Sequence, residues 1–256
     1  MLLECEQITM LFGGLAAVNR VDLAVRQGEI FGLIGPNGSG KTTVFNMVSG
    51  VYSPTAGRII FDGRDIAGRR PDYVTRCGIA RTFQNIRLFQ DMTVWENVLV
   101  GGHCRFSETI LDDMINSRRK RQQEEAARER LRNLLEMFKI SHLANEQAKN
   151  LPYGLQRELE IVRALASEPK LLLLDEPAAG MNPQETAQLM RFIQGIRDFG
   201  ITILVVEHDM KLVMSICDRV AVLNYGRKIA EGSPREIQAN PEVISAYLGK
   251  QVKHDA

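Results

Sequence analysis

The stretch IFGLIGPNGSGKTT, residues 30–43, decides how the rest of the chain is read. It opens as a short apolar run of strand length. It continues as GPNGSGKTT (35–43), which fits G-x-x-x-x-G-K-[ST], and a helical pattern follows from Lys41 to about Ser49. Gly38 and Gly40 let backbone N–H groups close around a polyphosphate, and the helix N-terminus adds a favourable dipole. Lys41 reaches for the β- and γ-phosphates, and the Thr42 hydroxyl completes a magnesium shell. Gly35, Pro36, Asn37, Gly38, Ser39, Gly40, Lys41, Thr42 and Thr43 are therefore the expected phosphate cradle. A glycine-rich turn with a stray lysine is the competing reading, and the strand before it argues against that.

A second motif, LLLLDEP (171–177), strengthens the case. Two acids close a purely apolar run, so they sit at the end of a buried strand, where parallel sheets bind ligands. Asp175 is the expected magnesium partner. Glu176 is expected to orient or deprotonate an attacking water.

Working outward, residues 1–35 read as short strands and GRIIFDGRDI (57–66) as a strand with a turn. ITILVVEH (201–208), like LLLLDE, has the β-branched content of a strand buried on both faces, and helical stretches join the runs as parallel crossovers. RVAVLNYGRKIAEG (219–232) reads as a hairpin turning near Asn224 to Gly226, and SPREIQANPEVISAYLG as closing helices. From about Asn85 to Asn150 the pattern is helical. Within it, residues 118–132 hold seven basic side chains against three acidic ones, with Glu124 and Arg128 at i,i+4 spacing. That reads as a solvated helix face, with a lipid headgroup contact as the alternative.

Composition fits an ordinary globular protein: 256 residues, 45% apolar and 25% charged, with a formal charge of +1 that calls for no nucleic-acid partner. Cys5, Cys77, Cys104 and Cys217 are scattered, with no metal-ligand spacing, and read as reduced thiols. Glu4 and Glu6 interrupt the place where a signal peptide needs its apolar region. The longest apolar runs fall short of the ~20 residues that span a bilayer. Work at a membrane is thus expected through another chain.

With both motifs in place the chain resembles the nucleotide-binding subunits of ABC transporters along nearly its whole length. The resemblance rests on RTFQN (81–85) with Gln84, VVEHD (205–209) with His208, AAGMNP (178–183) with Asn182 where aspartate is common, and Phe12 in LFGGLAAV, 29 residues before Lys41. It implies an α/β P-loop NTPase core with a mixed sheet, an N-terminal antiparallel β subdomain and an inserted α-helical subdomain. The implied divisions are 1–84, 85–165 and 166–256. It also implies ATP and Mg2+ as cofactors, with Glu176, His208, Gln84 and Lys41 catalytic, Thr42, Gln84 and Asp175 on the metal, and Phe12 stacked on adenine. His208 would donate to the γ-phosphate.

Longer stretches, among them FGGLAAVNRVDL, RTFQNIRLFQDMTVWENV and EHDMKLVMSICDRVAVLNYG, are similar to the ATPases of branched-chain amino acid uptake systems, in the member of the pair with the longer helical insert. Lipopolysaccharide-export and urea-uptake ATPases share part of this set. The implied partners are a second ABC ATPase, alike or different, transmembrane permease subunits and, indirectly, a solute-binding protein. The implied location is peripheral, on the cytoplasmic face of the membrane, with the permeases docking near Phe89, Met92 and Trp95. A soluble ABC ATPase would want long coiled coils or two cassettes, and a small kinase an acceptor site and a lid of arginines.

One loop departs from the family. Its signature reads Leu-Ser-Gly-Gly-Gln, whereas LPYGL (151–155) keeps Leu151 and Gly154 but puts Pro152 and Tyr153 after the leucine. Proline suits a helix start, where φ near −65° is already required. Leu155, Leu159, Val162 and Ala166 recur on one face of the helix that follows, and Glu168 with Pro169 ends it. What the departure removes is the serine hydroxyl aimed at the partner subunit's ATP. Pro152, Tyr153 and Gly154 would still face that nucleotide, so the expectation is an asymmetric pair.

Overall fold

The structure is a computed structural model that describes residues 1–103 and 118–248; the side chains of 118–124 and 248 lie outside it. In chain order the elements are β1 (Leu3–Phe12), β2 (Leu15–Val25), β3 (Ile30–Ile34), α1 (Lys41–Val48), β4 (Ala56–Phe61), β5 (Arg64–Asp65), α2 (Pro71–Cys77) and β6 (Ile79–Arg81). Then come α3 (Val94–Gly102), α4 (Arg118–Met137), α5 (Tyr153–Leu165), β7 (Leu171–Asp175), α6 (Pro183–Asp198), β8 (Thr202–Val206) and α7 (Met210–Ile216). β9 (Arg219–Asn224), β10 (Arg227–Gly232), α8 (Pro234–Ala239) and α9 (Pro241–Leu248) complete the strands and α-helices of the described residues. Two compact units result: Met1–Gln84 with the chain from Lys170 onward, and Asn85–Pro169. Cys104 and the side chains of the basic run at 118–121, like Glu124, lie outside the described residues.

The first unit holds two sheets. An antiparallel one runs β2-β1-β4-β5, and a six-stranded mixed one runs β10-β9-β3-β8-β7-β6. In the mixed sheet only the β9–β10 hairpin is antiparallel. β3, β7 and β8 are buried at every position, which is why their sequences are apolar except for Asp175 at the end of β7 and Thr202 at the start of β8. Val44, Phe45, Met47 and Val48 of α1 share one core with Leu3, Ile8 and Phe61 of the antiparallel sheet and with Phe31, Leu33 and Leu173 of the mixed one. At about 1.5–3 kcal/mol per buried side chain, this packing anchors the helix that begins at Lys41 to both sheets.

Parallel alignment has a chemical consequence. Val206 stands opposite both Leu33 and Asp175, so the carboxyl ends of β3, β8 and β7 lie side by side. The three loops that follow them, carrying Gly35, Glu207 and Glu176, therefore emerge at one edge of the sheet.

The second unit is helical. Thr93 caps α3, accepting from the Glu96 backbone at 3.2 Å while the Glu96 carboxylate accepts from the Thr93 backbone at 2.8 Å. The buried Asn97 amide donates to the Phe89 and Thr93 carbonyls and accepts from the Phe89 N–H, each at 3.0 Å, which pins the loop bearing Phe89. A Cβ at Gly101 would lie 2.1 Å from the Arg163 carbonyl oxygen, so α3 and α5 approach at a distance only glycine permits. Pro152 is the N-cap of α5, with φ −53° and ψ 152°, and Tyr153 is its first helical residue. Leu159, Val162 and Ala166 are buried as their spacing implies, and Leu155 is half-buried. The buried face is wider than that stripe. It includes an Arg157–Glu160 ion pair at 2.8 Å, whose carboxylate also accepts from the Arg87 N–H at 3.0 Å. Glu168, with φ +50°, ends the segment before Pro169.

Candidate active site

The loop after β3 wraps the start of α1. Lys41 is buried, and its Nζ donates to the carbonyls of Gly35 at 2.7 Å and Pro36 at 3.1 Å. Gly35 (φ +148°) and Gly40 (φ +105°) are required here. A Cβ would meet the Leu223 carbonyl at 2.1 Å in the first case and the Ala17 carbonyl at 2.6 Å in the second. Gly40 is the N-cap of α1 and supplies no side-chain acceptor, so the first-turn N–H groups of the helix have no capping side chain. Asn37, Gly38 and Thr42 are exposed, Gly40 and Thr43 half-buried, Pro36 buried, and Ser39 is buried with its Oγ unbonded.

Two carboxylates stand at the end of β7, each held differently. Asp175 is buried, and its Oδ2 accepts from Arg81 Nη2 at 2.7 Å. Arg81 Nη1 also donates to Asn46 Oδ1 at 2.7 Å and Ser49 Oγ at 3.0 Å, while the guanidinium lies over the rings of Phe45 and Phe83. One side chain thus joins β6, β7 and α1. Glu176 has φ +45°, a left-handed conformation unusual for a residue with a Cβ, and its N–H donates to the Val206 carbonyl at 2.9 Å. Its Oε2 accepts from Gln84 Nε2 at 2.7 Å and lies 3.8 Å from Nδ1 of the largely exposed His208.

Gln84, Glu176 and His208 line a cleft of about 580 Å³ together with Gly35, Pro36, Asn37 and Tyr247. A second cleft, of about 370 Å³, runs from Gly38 to Thr43 between Leu15 and Tyr225. Phe12 lies at the end of β1, 43% exposed, with its ring edge-on to Tyr52 at 5.5 Å, and lines neither cleft. Asn182 caps α6, its Oδ1 accepting from Gln184 and Glu185 N–H groups at 2.9 and 3.0 Å. Asparagine caps as well as aspartate, so the substitution leaves the turn intact. Arg81, Tyr247 and Glu207 were not singled out by sequence reasoning, although Glu207 carried a signal as an acid at the end of a buried apolar run.

Glu207 is fully buried. Its carboxylate accepts from the N–H of Ala178 at 2.9 Å and of His208 at 3.2 Å, yet burial outweighs these bonds and pushes its pKa above the ordinary 4.5. The native state then binds more protons at this group than the unfolded chain. Its contribution to stability is fully present below pH ~4.5 and is lost as pH rises through the raised value. Glu207→Gln is expected to remove this component, so Tm should fall less between pH 5 and 7.5 in the variant than in the parent. Identical pH dependence would contradict the assignment.

Comparison with known proteins matches residues 18–179 to the ABC transporter family and residues 227–253 to the branched-chain amino acid ATP-binding cassette transporter family. The chain is 46% identical to the high-affinity branched-chain amino acid transport ATP-binding protein BraF of Pseudomonas aeruginosa, over 97% of this chain and 98% of that one. Against LivG of Salmonella typhimurium, which bears the same description, identity is 47% at the same coverage. The chain belongs to the ABC transporter family. Among solved structures, an ATP-binding cassette of an ABC transporter in its ADP conformation superposes with a TM-score of 0.85 at 34% identity, covering 97% of this chain and 98% of that one.

As an ABC cassette the chain is an ATPase with the P-loop NTPase fold, and its site fits the nucleotide. The orphan Ser39 Oγ and the α1 first turn without a capping side chain are donors suited to phosphate oxygens. The residues also fit magnesium. Among the described residues no three His, Cys, Asp or Glu side chains form a metal cage, whereas the Thr42 hydroxyl and the Asp175 carboxylate would offer the few hard oxygen ligands that magnesium takes beside phosphates.

Proposed function

We propose that this chain powers a branched-chain amino acid importer by hydrolysing ATP in the cleft between its phosphate loop and Glu176. The observation that carries this reading is the convergence of Gln84, Glu176 and His208 on one cleft with Gly35, Pro36 and Asn37. Glu176 takes the proton of the attacking water as the bond from the γ-phosphorus to the bridging oxygen breaks, yielding ADP and phosphate. For that, Gln84 must give up its hydrogen bond to Glu176 Oε2. His208 and Lys41 donate to the γ-phosphate as charge shifts. Thr42, Asp175 and Gln84 would hold magnesium, which screens phosphate charge. Phe12 offers its exposed ring to adenine.

The likeness to transport ATP-binding proteins supports work on the cytoplasmic face of the membrane through permease subunits; among the described residues no helix is long and apolar enough to cross a bilayer. Phe89 and Met92 are exposed on the helical unit, and Trp95 beside them lies under the Arg132 guanidinium at 5.8 Å. This surface is the proposed permease contact. Trp95→Glu is expected to keep ATP hydrolysis and abolish solute uptake in the reconstituted transporter; unchanged uptake would remove the contact.

The working dimer pairs this chain with a different ATPase. Pro152 leaves α5 without a side-chain cap bond and carries no hydroxyl where the family's signature has serine, so that serine's bond to the partner's ATP is missing. A charge-assisted hydrogen bond is worth about 1.5–3 kcal/mol, one to two powers of ten. Pro152→Ser in the reconstituted pair should therefore strengthen nucleotide-driven dimerisation about tenfold or more. No change would mean that the loop carries no asymmetry.

A further inference from the structure

Among the described residues, Glu207 is the one fully buried carboxylate at the edge of the site for which hydrolysis, as described above, gives no task. It follows five apolar or β-branched residues of β8 that are all buried, and burying a charge there is costly unless it is bonded. Its bonds define what it does. One oxygen accepts from the Ala178 N–H at 2.9 Å, in the turn two residues beyond Glu176. The other accepts from the His208 N–H at 3.2 Å. A single side chain thus holds the backbones of both loops that carry the proposed general base and the γ-phosphate donor. The loops are also joined through the Glu176 N–H and the Val206 carbonyl, but that bond ends before Ala178 and His208.

We propose that Glu207 is a positioning residue of the hydrolytic site, clamping the turn after Glu176 to the backbone of His208 through the two oxygens of one carboxylate. Because the same turn leads to Asn182 and α6, a shift of that turn is passed to His208. The proposal rests on the reading of Glu176 and His208 as the hydrolytic pair. An isosteric amide cannot do the same work: glutamine accepts with one atom and turns an N–H toward the other donor, so one of the two bonds becomes a repulsion.

The test uses the full chain in its reconstituted assembly, comparing Glu207→Gln and Glu207→Asp with the parent. Aspartate keeps the charge but is one methylene short of Ala178, and serves if the glutamine variant fails to fold. The expected result is a kcat lowered about tenfold or more, with KM and the Kd for a fluorescent ATP analogue within about twofold. A kcat within twofold of the parent overturns the proposal. So does a parallel loss of kcat and nucleotide affinity that tracks a lowered Tm, because that is what mere packing would give. Glu176→Gln run alongside separates the two failures. If Glu176→Gln also hydrolyses at the parent rate, the reading of the pair has failed; if it is inactive while Glu207→Gln is not, only the clamp has.

Discussion

Replacing Glu176 with glutamine is expected to lower kcat by about 10²–10⁴-fold while ATP still binds, because it removes the carboxylate proposed as the proton acceptor beside the phosphate loop. The substitution is isosteric and leaves a carbonyl oxygen for the Gln84 amide, which now donates to Glu176 Oε2 at 2.7 Å. The backbone keeps its bond to the Val206 carbonyl, so the strained turn at φ +45° persists. Phosphate release and fluorescent-nucleotide binding, measured on the same preparation, check the result. A hydrolysis rate within threefold of the parent, with binding intact, would exclude Glu176 as the base.

The second large effect concerns folding rather than chemistry. Arg81 and Asp175 form an ion pair with both side chains about nine-tenths buried, 10% and 9% exposed. Arg81→Met leaves Asp175 charged and uncompensated and also strips partners from Asn46 and Ser49. Breaking such a pair costs about 3–5 kcal/mol. At roughly 2–4 °C per kcal/mol for a chain of this size, Tm should fall by roughly 6–20 °C. Adding Asp175→Asn should recover part of that loss, since the unpaired charge is then gone; strictly additive losses in the double variant would show that the two side chains do not act as a pair.

These residues also mark how far sequence alone reaches. The phosphate loop, the strands of β3, β7 and β8 and the hairpin at Tyr225 were legible because local rules decide them: glycine at positive φ, apolar runs, turn residues between strands. Gln84, Glu176 and His208 were legible through motif order, and parallel pairing brings the ends of β7 and β8 together. Arg81 was not legible, because its role depends on a register that sets β6 beside β7, 94 residues away along the chain. The Arg157–Glu160 pair on α5 was hidden for a similar reason. At i,i+3 spacing it looks like an exposed helix pair, and only packing within the helical unit buries it. Gly101 gives no sequence signal beyond being a glycine in a helix, yet the Arg163 backbone leaves it no alternative. Pro152 changed meaning least: as the N-cap of α5 it keeps the helix start and omits the hydroxyl.

ATP hydrolysis at Glu176 is proposed to drive uptake of branched-chain amino acids. The most direct measurement is leucine accumulation in proteoliposomes holding this chain with its permeases, partner ATPase and solute-binding protein, with ATP inside the vesicles when the cassettes face inward. Accumulation is expected to require ATP and to be abolished by Glu176→Gln in this chain. Hydrolysis without accumulation of leucine, isoleucine or valine, or accumulation that survives Glu176→Gln undiminished, would contradict the proposal.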